Sequence, residues 1–212
     1  EKQKIRNVFF GAPRIKNDSL ERIKAQLKTA PYRISFYAGT EAGEELLAFN
    51  PDDPLSISRA NQIFLLRAAI TAIEQKKLKL SDLAVLEEQK IVPALGIIHF
   101  WKPGSLISVD SLLNLMVAEK DLTASDLLLS LLPQEQLWAL GQKLRPFLSY
   151  REYFLLSKLP KEKLKGGSEA ITNLLPSLSG RLSSTDTALD RPDLVKHVGW
   201  FASTRELCGS AL

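Results

Sequence analysis

Lys120-Asp121-Leu122-Thr123-Ala124-Ser125-Asp126-Leu127-Leu128 is the stretch on which the fold turns. A charged pair closes one apolar segment and small residues open another, which predicts two helices in quick succession. The first runs from Val109 to Glu119 and the second from Ala124 to Leu132. A third is expected over Pro133 to Leu140, with Pro133 in its first turn and Gly141 as its C-terminal cap.

Upstream, Asn61 to Lys76 is apolar nearly all round, with Phe64, Leu66 and Ile70 among many others. Such a helix is expected at the centre of a domain, with Phe64 and Ile70 buried. Before it, Tyr32 to Tyr37 and Glu45 to Phe49 read as a strand hairpin around the polar turn Gly39 to Gly43. Asp18-Ser19-Leu20-Glu21 reads as a capping box opening an N-terminal helix that Pro31 stops. Downstream, Ser149 to Glu152 and Ser203 to Glu206 are two more capping boxes. The segment from Lys161 to Pro192, rich in Ser, Leu, Gly and Pro, reads as a long, partly irregular excursion. One hairpin does not make a stable sheet. Further strands are therefore expected beyond Leu212, or from self-association or a partner chain completing the sheet.

At 212 residues, 45% apolar and 25% charged, the chain has the composition of a globular domain. Its net charge of +4 is spread among acidic residues rather than gathered into a basic stripe, which argues against a nucleic-acid partner. Cys208 is the sole cysteine, so an intrachain disulfide is excluded. With His99 and His197 as the only histidines, no metal site is expected. No apolar run is long enough for a membrane span. Both histidines sit among apolar residues and are expected to be packed and hydrogen-bonded.

These segments carry a family likeness. Phe49-Asn50-Pro51 through Leu80 resembles the stretch of serine β-lactamases and penicillin-recognising enzymes that leads through the catalytic Ser-x-x-Lys into a central helix. Pro103 to Val109, with Leu112 to Met116, is similar to the lead-in to that superfamily's Ser-Asp-Asn motif. Lys120 to Leu128 stands where the motif itself is expected. Pro146 to Phe154, and Trp200 to Ser203 with Glu206 to Cys208, resemble the branch of β-lactamase-like serine hydrolases that includes a protein of clavulanic acid gene clusters. Members of that branch carry a small domain resembling steroid isomerases, and Phe9 to Leu27 looks like its tail. The likeness implies an α/β fold of the β-lactamase and transpeptidase kind, with a helical subdomain beside an antiparallel sheet. Residues 1–30 form an N-terminal helical segment in this reading, and 31–212 a β-lactamase-like domain lacking its C-terminal strands. A periplasmic or secreted location follows from the likeness alone.

In such enzymes a serine attacks a carbonyl, a lysine one turn later takes its proton, and Lys-Thr-Gly on a late strand binds the substrate carboxylate. A serine hydroxyl without an adjacent base is a poor nucleophile. Here the sequence reads Ser58-Arg59-Ala60-Asn61-Gln62. Without a gap, Arg59 falls at the nucleophile and Gln62 at the lysine; with one gap, Ser58 and Asn61 do. Either register puts an amide, which cannot serve as a base, where the lysine belongs. At the second motif Lys120 replaces Ser, Asp121 is kept and Leu122 replaces Asn, and no Lys-Thr-Gly occurs.

The candidate catalytic residues are Ser58, Lys120 as a relocated base, and Asp121. Each has a plainer role: Ser58 as a helix cap, Lys120 as a loop lysine or an ion-pair partner of Glu119 or Asp121, and Asp121 as a structural carboxylate. Candidate cleft residues are Arg59, Asn61, Gln62, Arg151 and Glu152. Lys165-Gly166-Gly167-Ser168 resembles the late Lys-x-Gly motif but lies out of order and reads as a loop. The resemblance implies a catalytically degenerate homologue that uses its cleft to bind a small-molecule or anionic ligand and needs no cofactor. The competing reading is an active serine hydrolase, acting on a β-lactam, ester or amide through Ser58.

Overall fold

A computed structural model describes residues 19–40, 42–143, 147–183 and 198–211. Helix α1 (Leu20–Thr29) is capped by Ser19, whose Oγ accepts the Arg22 N–H at 3.2 Å. Ser19 therefore takes the role read for Asp18, which lies outside the described residues. Strands β1 (Phe36–Gly39) and β2 (Glu45–Phe49) form the hairpin, with Phe36 opposite Phe49. The first strand begins four residues later than expected.

The chain then forms β3 (Leu55–Ser56), a 3-10 turn over Ser58–Ala60, and α2 (Asn61–Glu74). The short strands β4 (Leu83–Val85) and β5 (Leu106–Ser108) pair with each other. Helices α3 (Val109–Ala118), α4 (Leu122–Leu131), α5 (Gln134–Lys143), α6 (Tyr150–Ser157), α7 (Lys161–Leu164) and α8 (Gly167–Leu174) follow. Strand β6 (Phe201–Ala202) returns to β3, and α9 (Thr204–Ala211) closes the described chain. The strands form three antiparallel two-stranded ribbons beside the helices.

Helix α2 is buried on one face only. Phe64, Leu65, Ala68, Ala69 and Ala72 turn inward, whereas Ile70 is 39% exposed, against expectation. The buried spacing of three and four defines a single stripe, and Ile70 falls off it. The helix enclosed on every side is α4, where Leu122 to Leu128 are all buried in succession. It starts two residues earlier than its periodicity predicts because Asp121 caps it. Helix α5 continues through Gly141 to Lys143, so that glycine is no terminator. The expected irregular excursion holds α7 and α8 within its described part. Gly167 opens α8 with φ +66, so the Lys-Gly-Gly segment is a helix-to-helix junction.

Both downstream capping boxes form. Ser149 and Glu152 exchange side-chain and backbone hydrogen bonds at α6, as do Ser203 and Glu206 at α9. Arg205 on α9 donates to Asp52 at 2.8 Å and Glu45 at 3.1 Å, and its guanidinium lies 4.9 Å from the Tyr37 ring. That one side chain fastens α9 to the hairpin. Trp200 stacks on Tyr153 at 5.1 Å and donates its indole N–H to the Leu148 carbonyl at 3.0 Å.

Phe154 is fully buried in the same core. Phe154→Ala should cost about 3–5 kcal/mol, the usual effect of removing a buried phenyl ring. Urea unfolding should show an earlier midpoint at an unchanged slope.

Candidate functional site

The site begins where β3 ends. The Ile57 N–H donates to the Trp200 carbonyl at 2.9 Å, so the residue before the 3-10 turn is held by the strand that returns at β6. Ser58 follows with φ 45, a left-handed conformation that costs a side chain of this kind roughly 1 kcal/mol or more. Its side chain is exposed and makes no cap bond, and the N-cap position of α2 falls on Ala60. Ser58 is therefore not the helix cap that its position suggested. The 3-10 turn moves the helix start downstream of it.

Arg59, Gln62, Ile63 and Leu66 line one wall of a cleft of about 360 Å3, and Val117 and Lys120 line the other. The spacing of three, four and seven places the first four on one face of a helical segment. This is the gap-free register, with Arg59 and Gln62 facing the cleft. Asn61 points inward instead: it is 2% exposed, and its Oδ1 accepts the Tyr150 hydroxyl at 2.6 Å. Burial pushes the Tyr150 phenol up from its ordinary value, which keeps the proton needed for that bond. Gln62 donates its amide to Ser125 Oγ at 2.9 Å, and Ser125 donates in turn to the Asp121 carbonyl at 3.0 Å. Neither amide is positioned as a base.

Lys120 lies in the turn between α3 and α4 with φ 54 and is exposed. Among the described residues neither it nor Arg59 has an ion-pair or hydrogen-bond partner for its side chain, so the pairing expected with Glu119 or Asp121 does not form. Asp121 is fully buried beneath Lys120. Its Oδ2 accepts the N–H groups of Ile97 at 2.6 Å and Ile98 at 2.8 Å, and its Oδ1 accepts that of Ala124 at 2.9 Å. Three backbone donors make it a fastener, pinning the preceding loop to the start of α4. Gly96, at φ +94, is required there, because a Cβ would come within 2.2 Å of Asp121 Oδ2.

Arg151 and Glu152 sit apart from this cleft, at the start of α6. Glu152 completes the capping box with Ser149, and the Arg151 guanidinium donates to the Gly180 carbonyl. Beside them is a residue that sequence reasoning passed over. Asp126 on α4 accepts the backbone N–H of Tyr150 at 2.7 Å and of Arg151 at 2.9 Å. Its signal was available, since an acidic residue inside an otherwise apolar helix must find partners elsewhere. His99 Nδ1 is buried and, among the described residues, has no hydrogen-bond partner, contrary to expectation; His197 lies outside the described residues. Among the described residues no cluster suits a metal ion, and no helix is long and apolar enough to cross a membrane.

The β-lactamase enzyme family matches residues 19–183. The chain belongs to that family. Solved structures with the same fold include the β-lactamase of Sphaerobacter thermophilus DSM 20745, at 16% identity and a TM-score of 0.54 over 88% of this chain and 57% of that one. A mutant of the class A β-lactamase of the last common ancestor of Gram-negative bacteria is also similar, at 16% identity and a TM-score of 0.51 over 90% and 60% of the two chains. A mutant of PBP-A in acyl-enzyme complex with penicillin G matches at 18% identity and a TM-score of 0.50, over 69% and 54%. This chain thus spans less than two thirds of the length of each. No curated protein matches the sequence closely enough to count as a relative. The helical subdomain beside antiparallel strands is that of the serine β-lactamase and penicillin-binding superfamily.

Burial pushes the Asp126 carboxyl up to about 7, and Glu152 adds to the rise; the two backbone hydrogen bonds and Arg151 oppose it. The folded protein therefore holds a proton between pH 3.8 and about 7 that the unfolded chain has released. The resulting stability is full below that window and is lost as pH rises through it, by on the order of 4 kcal/mol. Urea unfolding at pH 5 and pH 8 should show the wild type losing more stability across this interval than Asp126→Asn does.

Proposed function

We propose that this member of the β-lactamase family is catalytically silent and that its cleft binds an anionic small molecule. The observation that carries this reading is the pair Arg59 and Lys120, two cations on opposite walls of one cleft with no ion-pair partner among the described residues. Cations facing each other across a cleft repel, and an anion between them relieves the repulsion. Ile63, Leu66 and Val117 supply an apolar surface for the rest of the ligand.

Acyl transfer needs a nucleophile beside a base. The residue facing the cleft at the lysine position is Gln62, whose amide is tied to Ser125. Lys120 stands where the relay serine would stand. With Leu122 where the motif's asparagine would stand, three substitutions act together, so restoring one returns little activity. The runner-up, a hydrolase working through Ser58, has the strained backbone of that residue in its favour. Among the described residues, it lacks a basic partner on Ser58 to take the proton.

Two measurements test the proposal. Intact-protein mass spectrometry after long incubation with penicillin G should return an unmodified mass, and an adduct on Ser58 would promote the hydrolase reading. A fluorescent aryl sulfonate should bind saturably and more weakly as salt is raised. Arg59→Ala or Lys120→Ala should each weaken it about tenfold or more, the usual loss for a hydrogen bond to a charged group. Binding that ignores both substitutions would sink the proposal.

A further inference from the structure

A second cavity, of about 470 Å3, lies among α4, α5 and α6 and uses none of the cleft residues. Its apolar side consists of Leu129, Leu137 and Phe147. Its polar side carries two carboxyls, Asp126 and Glu152, and two cations, Lys90 and Arg151. We propose that this cavity binds a small zwitterion with an apolar side chain, the chemistry of a free α-amino acid. Its ammonium would sit on the carboxyls and its carboxylate on the cations.

Charge decides the class. Asp126 is buried, accepts two backbone N–H groups, and has no cation within ion-pair distance among the described residues. A buried carboxylate held by neutral donors alone gains from an ammonium group that enters beside it. Burial raises the affinity of Asp126 for its proton by more than the two backbone hydrogen bonds and the Arg151 charge lower it. A simple amine would nevertheless meet Lys90 and Arg151, and a simple acid would meet Asp126 and Glu152. An uncharged apolar molecule would desolvate all four groups and pair none of them. A zwitterion pairs both sets.

Neither cation is fully committed elsewhere. Arg151 spends one guanidinium N–H on the Gly180 carbonyl and keeps the others. Lys90 pairs with Glu87 at 2.9 Å in a solvated surface contact, the kind worth little. The volume falls within the range of small-molecule sites, and the three apolar residues offer a wall for a branched or aromatic side chain.

Calorimetric titration of the whole chain with L-phenylalanine tests the assignment. Saturable one-site binding is expected, with phenethylamine and 3-phenylpropionate each at least tenfold weaker because each lacks one charge. Ser130 is exposed and lines the cavity, so Ser130→Trp should fill the space, abolish phenylalanine binding, and leave aryl sulfonate binding at the cleft intact. Arg151→Met should weaken phenylalanine at least tenfold while leaving phenethylamine as tight as before or tighter, because the ammonium then meets one cation fewer. The assignment is overturned by an absence of saturable heat, by either one-charge analogue binding as tightly as phenylalanine, or by full binding in both variants.

Discussion

The carboxylate of Asp121 is the constraint from which the cleft is built. It gathers three backbone N–H groups, two from the loop before β5 and one from the first turn of α4. Hydrogen bonds to a charged acceptor contribute about 1.5–3 kcal/mol each, so the loop and the helix are held as one body. The cost appears at the neighbours. Gly96 must forgo a side chain, and Lys120 takes a left-handed conformation in the residue just before the carboxylate. That backbone turn brings Lys120, past the end of α3, to the wall of the cleft.

The facing wall depends on a different set of contacts. Ile57 hangs from the Trp200 carbonyl, Trp200 bonds Leu148, and Tyr150 at the head of α6 bonds Asn61 at the head of α2. Residues far apart in the chain thus converge on one helix terminus, and the converging groups are neutral. In a working acyl-transfer site this region supplies a proton acceptor. Here amides occupy those places, each with a hydrogen-bond partner, and the charged groups stand at the rim. That arrangement is what the proposed electrostatic recognition rests on.

Much of this was legible in the chain. The order of helices, the hairpin, the capping boxes at Ser149 and Ser203, and the family likeness all came from local pattern, because propensity and capping act over three or four residues. The errors share a cause. Ile70 was read as buried and Ser58 as a cap because composition counts apolar and capping residues without knowing which face is covered. Asp126 was missed because its partners lie some 24 residues downstream, at a distance no periodicity reports.

By itself, the sequence determined that the lysine and Lys-Thr-Gly of a penicillin-recognising enzyme are absent from this stretch, since residue identity settles which groups can exchange protons. Only the tertiary structure decided which of these residues face the cleft, turning Arg59 and Gln62 to it and Asn61 to the core. The reason is rotational. Adjacent helix positions differ by about 100°, so the direction each side chain takes depends on where the helix begins. That starting point is set by the tie between Ile57 and Trp200, a hydrogen bond spanning most of the chain.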